Sequence, residues 1–137
     1  MAEYSLLGNQ FSDQLQPLRQ GIATIPGVTS PTADTHYGQS IVVTHNFGFA
    51  PVYLAWAYVP MIDWYGTQKY NQFVFMPQGI QENSITTTAG NFYYLGMLSD
   101  STTITFYNNA YTHGTPTDIP DMPVKYVLFG APTTSTS

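Results

Sequence analysis

Residues 40–60 read Ser-Ile-Val-Val-Thr-His-Asn-Phe-Gly-Phe-Ala-Pro-Val-Tyr-Leu-Ala-Trp-Ala-Tyr-Val-Pro, two strand-forming runs around a corner. The runs are β-branched and aromatic, which suits a pleated surface. Between them, Asn46 and Gly48 tolerate a left-handed backbone, and Pro51 pushes the residue before it out of the helical region. The stretch therefore folds as strand, sharp corner, strand, with Gly48 in a conformation that a side chain would penalise. The second run, Val52–Val59, is apolar throughout.

The remaining chain follows the same grammar. Gly21–Ile25 reads as a first strand closed by Pro26-Gly27, and residues 28–39, rich in Thr, Ser, Pro and Gly, read as a surface loop. Residues 60–70 read as a long connection carrying Trp64, Tyr65 and Gly66. Asn71–Met76 alternates, with Phe73 and Phe75 on one face and Val74 and Met76 on the other, before a turn at Pro77-Gln78-Gly79. Ser84–Thr88 and Asn91–Leu98 flank Ala89-Gly90 as two more strands. After the Ser99-Asp100-Ser101 turn, Thr102–Asn108 points Ile104 and Phe106 inward and Thr103, Thr105 and Tyr107 outward. Residues 109–122 read as a loop and Pro123–Phe129 as the last strand.

About seven short strands with turn signals between them predict an all-β fold, an antiparallel β-sandwich of jelly-roll-like form. The expected sandwich covers residues 21–132. Residues 1–20 form an N-terminal arm, in which Leu7, Phe11, Leu15 and Leu18 have helical spacing but Gly8 and Pro17 interrupt it. A short helical turn and an extended arm both fit. Residues 133–137 are a Thr/Ser tail without core-forming side chains, so ordering it requires a neighbour to hold it.

With 137 residues the chain suffices for one domain, and 43% hydrophobic residues allow it a core. Charged residues are only 8%, which leaves little repulsion to keep copies apart. The 11 Tyr and 8 Phe suit surfaces that meet other protein. Phosphate-backbone binding needs clustered cations, whereas Arg19, Lys69 and Lys125 are scattered in a chain of net charge −5. The absence of cysteine excludes disulfides, thiolate metal sites and Cys nucleophiles. No basic-then-apolar leader is present and no apolar run approaches the ~20 residues of a membrane helix. Synthesis in the cytoplasm without secretion is the expectation.

The order of three pieces resembles small β-sandwich virion structural proteins of tailed bacteriophages, those that decorate capsids or tail surfaces. The pieces are Gly21-Ile22-Ala23-Thr24-Ile25, the Thr44–Pro51 corner with its apolar strand, and Ser99–Phe106 followed by Lys125-Tyr126-Val127-Leu128-Phe129. Similar phage domains pair a His-Asn-Leu-Gly-Tyr-x-Pro corner with a Ser-Thr-Thr-Leu-Thr strand. Here Phe47 replaces the Leu and Phe49 the Tyr. The likeness runs from about Leu15 to Phe129 and leaves the loops around Trp64 and residues 109–122 without a counterpart. It implies a non-enzymatic virion protein, made in the host bacterial cytoplasm, that binds capsid or tail proteins and itself, with a trimer as the first oligomer to expect.

Candidate chemistry is sparse. His45-Asn46 invites a general-base reading, but no nucleophile elbow accompanies it, so both residues are expected to bond backbone at the corner. His36, His45 and His113 fit no compact zinc spacing, and Asp100, Asp118 and Asp121 form no regular calcium loop, so neither metal nor cofactor is expected. Paired carboxylates for glycoside hydrolysis are not built from Asp63 and Glu82, which fall on unrelated loops. Of the aromatics Trp56, Tyr58, Trp64, Tyr65 and Tyr70, either Trp56 and Tyr58 are core or interface and the Trp64 loop packs on a neighbouring subunit, or the set is a sugar-stacking platform with Asp63, Gln68 and Asn71 beside it. The second possibility would make the chain a carbohydrate-binding tail adhesin that attaches to a host glycan.

Overall fold

A computed structural model describes residues 16–62, 69–77, 83–86 and 90–130. Eight strands account for most of them: β1 Gln16–Ile25, β2 His36–Thr44, β3 Val52–Ile62, β4 Lys69–Phe75, β5 Asn83–Thr86, β6 Asn91–Ser99, β7 Thr103–Thr112 and β8 Met122–Gly130. They make two four-stranded antiparallel sheets, ordered β1-β8-β3-β4 and β2-β7-β6-β5. The outer pairs β1·β8 and β2·β7 nest as in a jelly roll. β3–β4 and β5–β6 instead close as hairpins within their own sheets. No helix occurs among the described residues.

The two sheets bury one core. Ile25, Ala55, Ala57, Val59 and Leu128 from the first sheet meet Leu95, Met97, Ile104 and Phe106 from the second. Each of the larger side chains contributes about 1.5–3 kcal/mol by leaving water. The alternation read in β4 and β7 holds: Phe73 and Phe75 are exposed over buried Met76, and Ile104 and Phe106 are fully buried. Two glycines let tyrosine rings lie flat across a neighbouring strand. A Cβ on Gly96 would meet the Tyr107 ring opposite it at 2.5 Å, and one on Gly21 would meet Tyr126 Oη at 2.8 Å.

Among the described residues, five strand boundaries lie two or more residues outside their expected positions. β1 begins at Gln16, inside the stretch assigned to the arm, and carries Pro17 at a bulge where its register against β8 shifts. An edge strand at a bulge can spare the missing N–H. β2 starts at His36, within the expected loop, and β7 runs on to Thr112 rather than ending at Asn108. β3 passes through Pro60 to Ile62, and β4 starts at Lys69, so the connection between them is residues 63–68. β8 pairs β3 only as far as Ala57, so among the described residues Pro60 is paired on the β4 side alone. Residues 1–15 and 131–137, with most of the arm and all of the tail, lie outside the described residues.

One end of the sandwich gathers the corner, the β6–β7 turn and the paired strand ends Gln16 and Gly130. At the other, Val28 bridges Ile119 through two backbone hydrogen bonds, and Asp121 Oδ1 and Asp118 Oδ1 accept the N–H groups of Gly27 and Ser30 at 2.7 and 2.8 Å.

Candidate interaction surface

The corner is built by hydrogen bonds to one turn. β2 ends at Thr44, and the backbone N–H groups of His45 and Asn46 donate to Thr102 O, at 2.8 and 3.1 Å, while Gly48 N–H donates to Ser101 O at 2.9 Å. Asn46 and Gly48 both have left-handed backbones, with φ 57 and φ 82. The second angle meets the expectation for Gly48. Nothing lies within 4 Å of a Cβ built there, so conformation rather than space selects glycine. Pro51 is buried and Asn46 exposed.

His45 is 4% exposed, and both its ring nitrogens are engaged by backbone. Phe47 N–H donates to Nδ1 and Nε2 faces Asp100 O, each at 3.0 Å. A carbonyl cannot donate and an amide N–H cannot accept, so the ring is the neutral tautomer with its proton on Nε2. Asp100 Oδ1 in turn accepts Thr102 N–H and Thr103 N–H, at 2.8 and 2.7 Å. Those donors hold its carboxyl down at about 2, against an ordinary 3.8. An aromatic run closes the corner: His45 packs on Phe47 at 4.5 Å, Phe47 stacks on Phe49 at 5.7 Å, and the Arg19 guanidinium lies over Phe47 at 5.5 Å while donating to Thr44 O.

The three histidines do not converge. His36 packs on Tyr111, His45 sits in the corner, and His113 Nδ1 lies 2.9 Å from Asp34 Oδ1 in an exposed pair. Among the described residues no three His, Asp or Glu side chains form a metal-binding group.

The larger feature is a surface that sequence reasoning reached only in part, through Trp56 and Tyr58. On β3 the small side chains point inward and the large ones outward: Ala55 and Ala57 are fully buried, while Leu54 is 42% and Trp56 36% exposed. The same outer face of the first sheet carries Ile22 at 69%, Phe73 at 66%, Phe75 at 45% and Val52 at 41% exposure. Trp56 meets Phe75, its register partner, edge to face at 6.2 Å, and Tyr58 meets Phe73 likewise at 5.0 Å. Across the four strands, one row reads Ile22, Lys125, Trp56, Phe75. Lys125 is the one charge on this face among the described side chains. The outer face of the second sheet is more mixed: its central strand β7 presents Thr103, Thr105, Tyr107, Asn109 and Tyr111, with Val42 and Leu98 exposed on either side of Thr105.

Of the aromatics singled out from sequence, Trp56 and Tyr58 thus belong to this apolar face. Tyr70 is described only as the backbone partner of Met61, and Trp64 and Tyr65 lie outside the described residues, as do Asp63, Gln68 and Glu82. The signal for the face was present in the unbroken apolar run Val52–Val59. A strand facing water on one side alternates, whereas one covered on both sides does not. No family model, curated protein or solved structure matches the chain.

Proposed function

We propose that the chain is a non-enzymatic structural module that works by surface contact, of the kind its corner's resemblance implies: a protein that binds the capsid or tail surface of a tailed-phage virion. One observation carries this reading. Six apolar side chains of a single sheet face stand 36–69% exposed. Together they offer about 600 Å² of apolar surface, at the upper limit of the patches that monomers leave to water. The corner supports it as well, because His45 spends both ring nitrogens on backbone and has none left to move a substrate proton. A sugar platform would surround its stacking ring with polar groups, whereas Trp56 has Leu54 and Phe75 beside it and, among the described residues, one polar neighbour, Lys125, across the strand.

The test is localisation. Antibody raised against the recombinant chain should label intact particles of the phage whose genome encodes it, and the chain should appear as a band in gels of those purified particles. Its absence from purified particles refutes the reading.

A further inference from the structure

We infer that the apolar outer face of the β1-β8-β3-β4 sheet pairs with the same face of a second copy of this chain, about a two-fold axis running along the strands between β8 and β3. The inference rests on the surface-contact reading above and names the partner of that surface.

The argument starts from register. The row Ile22–Lys125–Trp56–Phe75 crosses all four strands at one level. Rotation about an axis in the interface plane and parallel to the strands reverses the row left to right. Ile22 then lies against Phe75 of the second copy, and Lys125 against its Trp56. Along this row the aliphatic side chains of each copy meet the aromatic rings of the other, so bulky rings sit over smaller side chains. Lys125, the one charge on the face among the described side chains, lands on an indole ring, the best aromatic acceptor for a cation, and its methylenes stay in apolar contact. An interface related by a two-fold axis must be self-complementary, and this row is.

Charge and area agree. A partner chosen by charge would need a charged pattern to read, and among the described side chains this face offers a single lysine, with Gln20 and Thr24 of β1 as exposed polar groups beside its apolar ones. Its exposed apolar side chains supply about 600 Å², and the half-buried Tyr58, Val127 and Phe129 at its margins bring it toward the roughly 800 Å² per partner of a stable interface. Sheets of this kind pack about 10 Å apart with strands nearly aligned, which lets the side chains of both faces interdigitate. The resemblance implies a trimer, whereas the register points to a two-fold pair.

The test uses the full chain in solution. Sedimentation should give twice the 15.2 kDa chain mass. The double substitution Ile22→Asp and Phe73→Asp should give the single-chain mass with an unchanged circular dichroism spectrum. Because the chain lacks cysteine, register can be read by cross-linking. Ile22→Cys with Phe75→Cys in one chain should oxidise to a covalent dimer, and neither substitution alone should do so. A monomer at every concentration, a trimer, a charged variant that keeps the wild-type mass, or cross-linking by a single cysteine each overturns the proposal. So does a monomer that becomes a dimer when residues 1–14 are deleted, since the chain's own N-terminal segment would then be the occupant. Failure here leaves particle labelling untouched, and absence from particles leaves the solution mass untouched, so the two readings fail separately.

Discussion

Replacing His45 tests whether the corner is held by the imidazole or merely contains it. His45→Ala leaves Phe47 N–H without its acceptor and Asp100 O without its donor, both formerly bonded at 3.0 Å. Each unmade bond at a partly buried site costs about 1 kcal/mol or more. Removing a ring that is 4% exposed and packed on Phe47 at 4.5 Å costs about 1 kcal/mol further. The sum is about 3 kcal/mol, and for a chain of this length about 10 °C in Tm. His45→Asn separates the two bonds. An Asn carbonyl oxygen occupies the position of Nδ1 and accepts the N–H two residues on, as in an Asx turn, but it cannot reach Asp100. Its expected cost is about 1–2 kcal/mol. Urea unfolding followed by circular dichroism at one fixed protein concentration reads both. An alanine variant within about 0.5 kcal/mol of wild type, or equal losses for Asn and Ala, would refute the assignment of the ring's two bonds.

Gly48→Val should lose about 1–2 kcal/mol through backbone strain alone, and Gly48→Asn clearly less, as read by the same urea titration; equal losses would mean that φ 82 is not the cause. The lowered carboxyl of Asp100 favours the folded state once ionised, so its contribution is complete above about pH 4 and disappears as the pH falls toward about 2. Melting curves of Asp100→Asn should accordingly lose part of the acid-side slope over that window. Burial pushes the Tyr53 hydroxyl, which donates to Met76 O, up to about 12 from 10.0. Its stabilising effect is therefore full below about pH 10 and is lost as the pH rises toward 12, and Tyr53→Phe should cost about 1 kcal/mol in urea at neutral pH while flattening that alkaline limb.

Where inward positions were apolar, the strands were legible in the sequence. Ile104 and Phe106 marked the first half of β7, but its second half turns Asn108, Ala110 and Thr112 to the interior, so the pattern faded while the strand continued. Asn108 is tolerated there because its Oδ1 accepts Tyr94 N–H, and Thr112 because its hydroxyl is held by the backbone of Thr32 and Thr35. β2 was shortened for a related reason: His36 and Gly38 suggest a loop, and only the pairing with β7 makes them strand. Pro60 looked like a break because sequence cannot tell that β8 stops pairing at Ala57. The corner was readable because Asn46, Gly48 and Pro51 act through local backbone preference, whereas its anchor, the 100–102 turn, is more than fifty residues away. The apolar face was legible only in part, because an unbroken run such as Val52–Val59 does not say which side chains go inward, and here Ala55 and Ala57 take the interior while Leu54 and Trp56 face out.

Gln16 and Gly130 are register partners in an antiparallel ladder, so the first and last described residues of the sandwich stand side by side at one end of it. This has a mechanical consequence. Tension applied through the segments that flank the sandwich pulls β1 and β8 apart from their shared end. The ladder then opens like a zipper, one hydrogen-bonded pair after another from Gln16–Gly130 inward, and never bears the load on all its pairs at once. A pull between Thr44 and Tyr111 instead would slide β2 along β7 and strain the whole of that ladder together. The sandwich is therefore soft when stretched by its ends and stiff along its strands, a directional strength that pulling single molecules from engineered attachment points would measure.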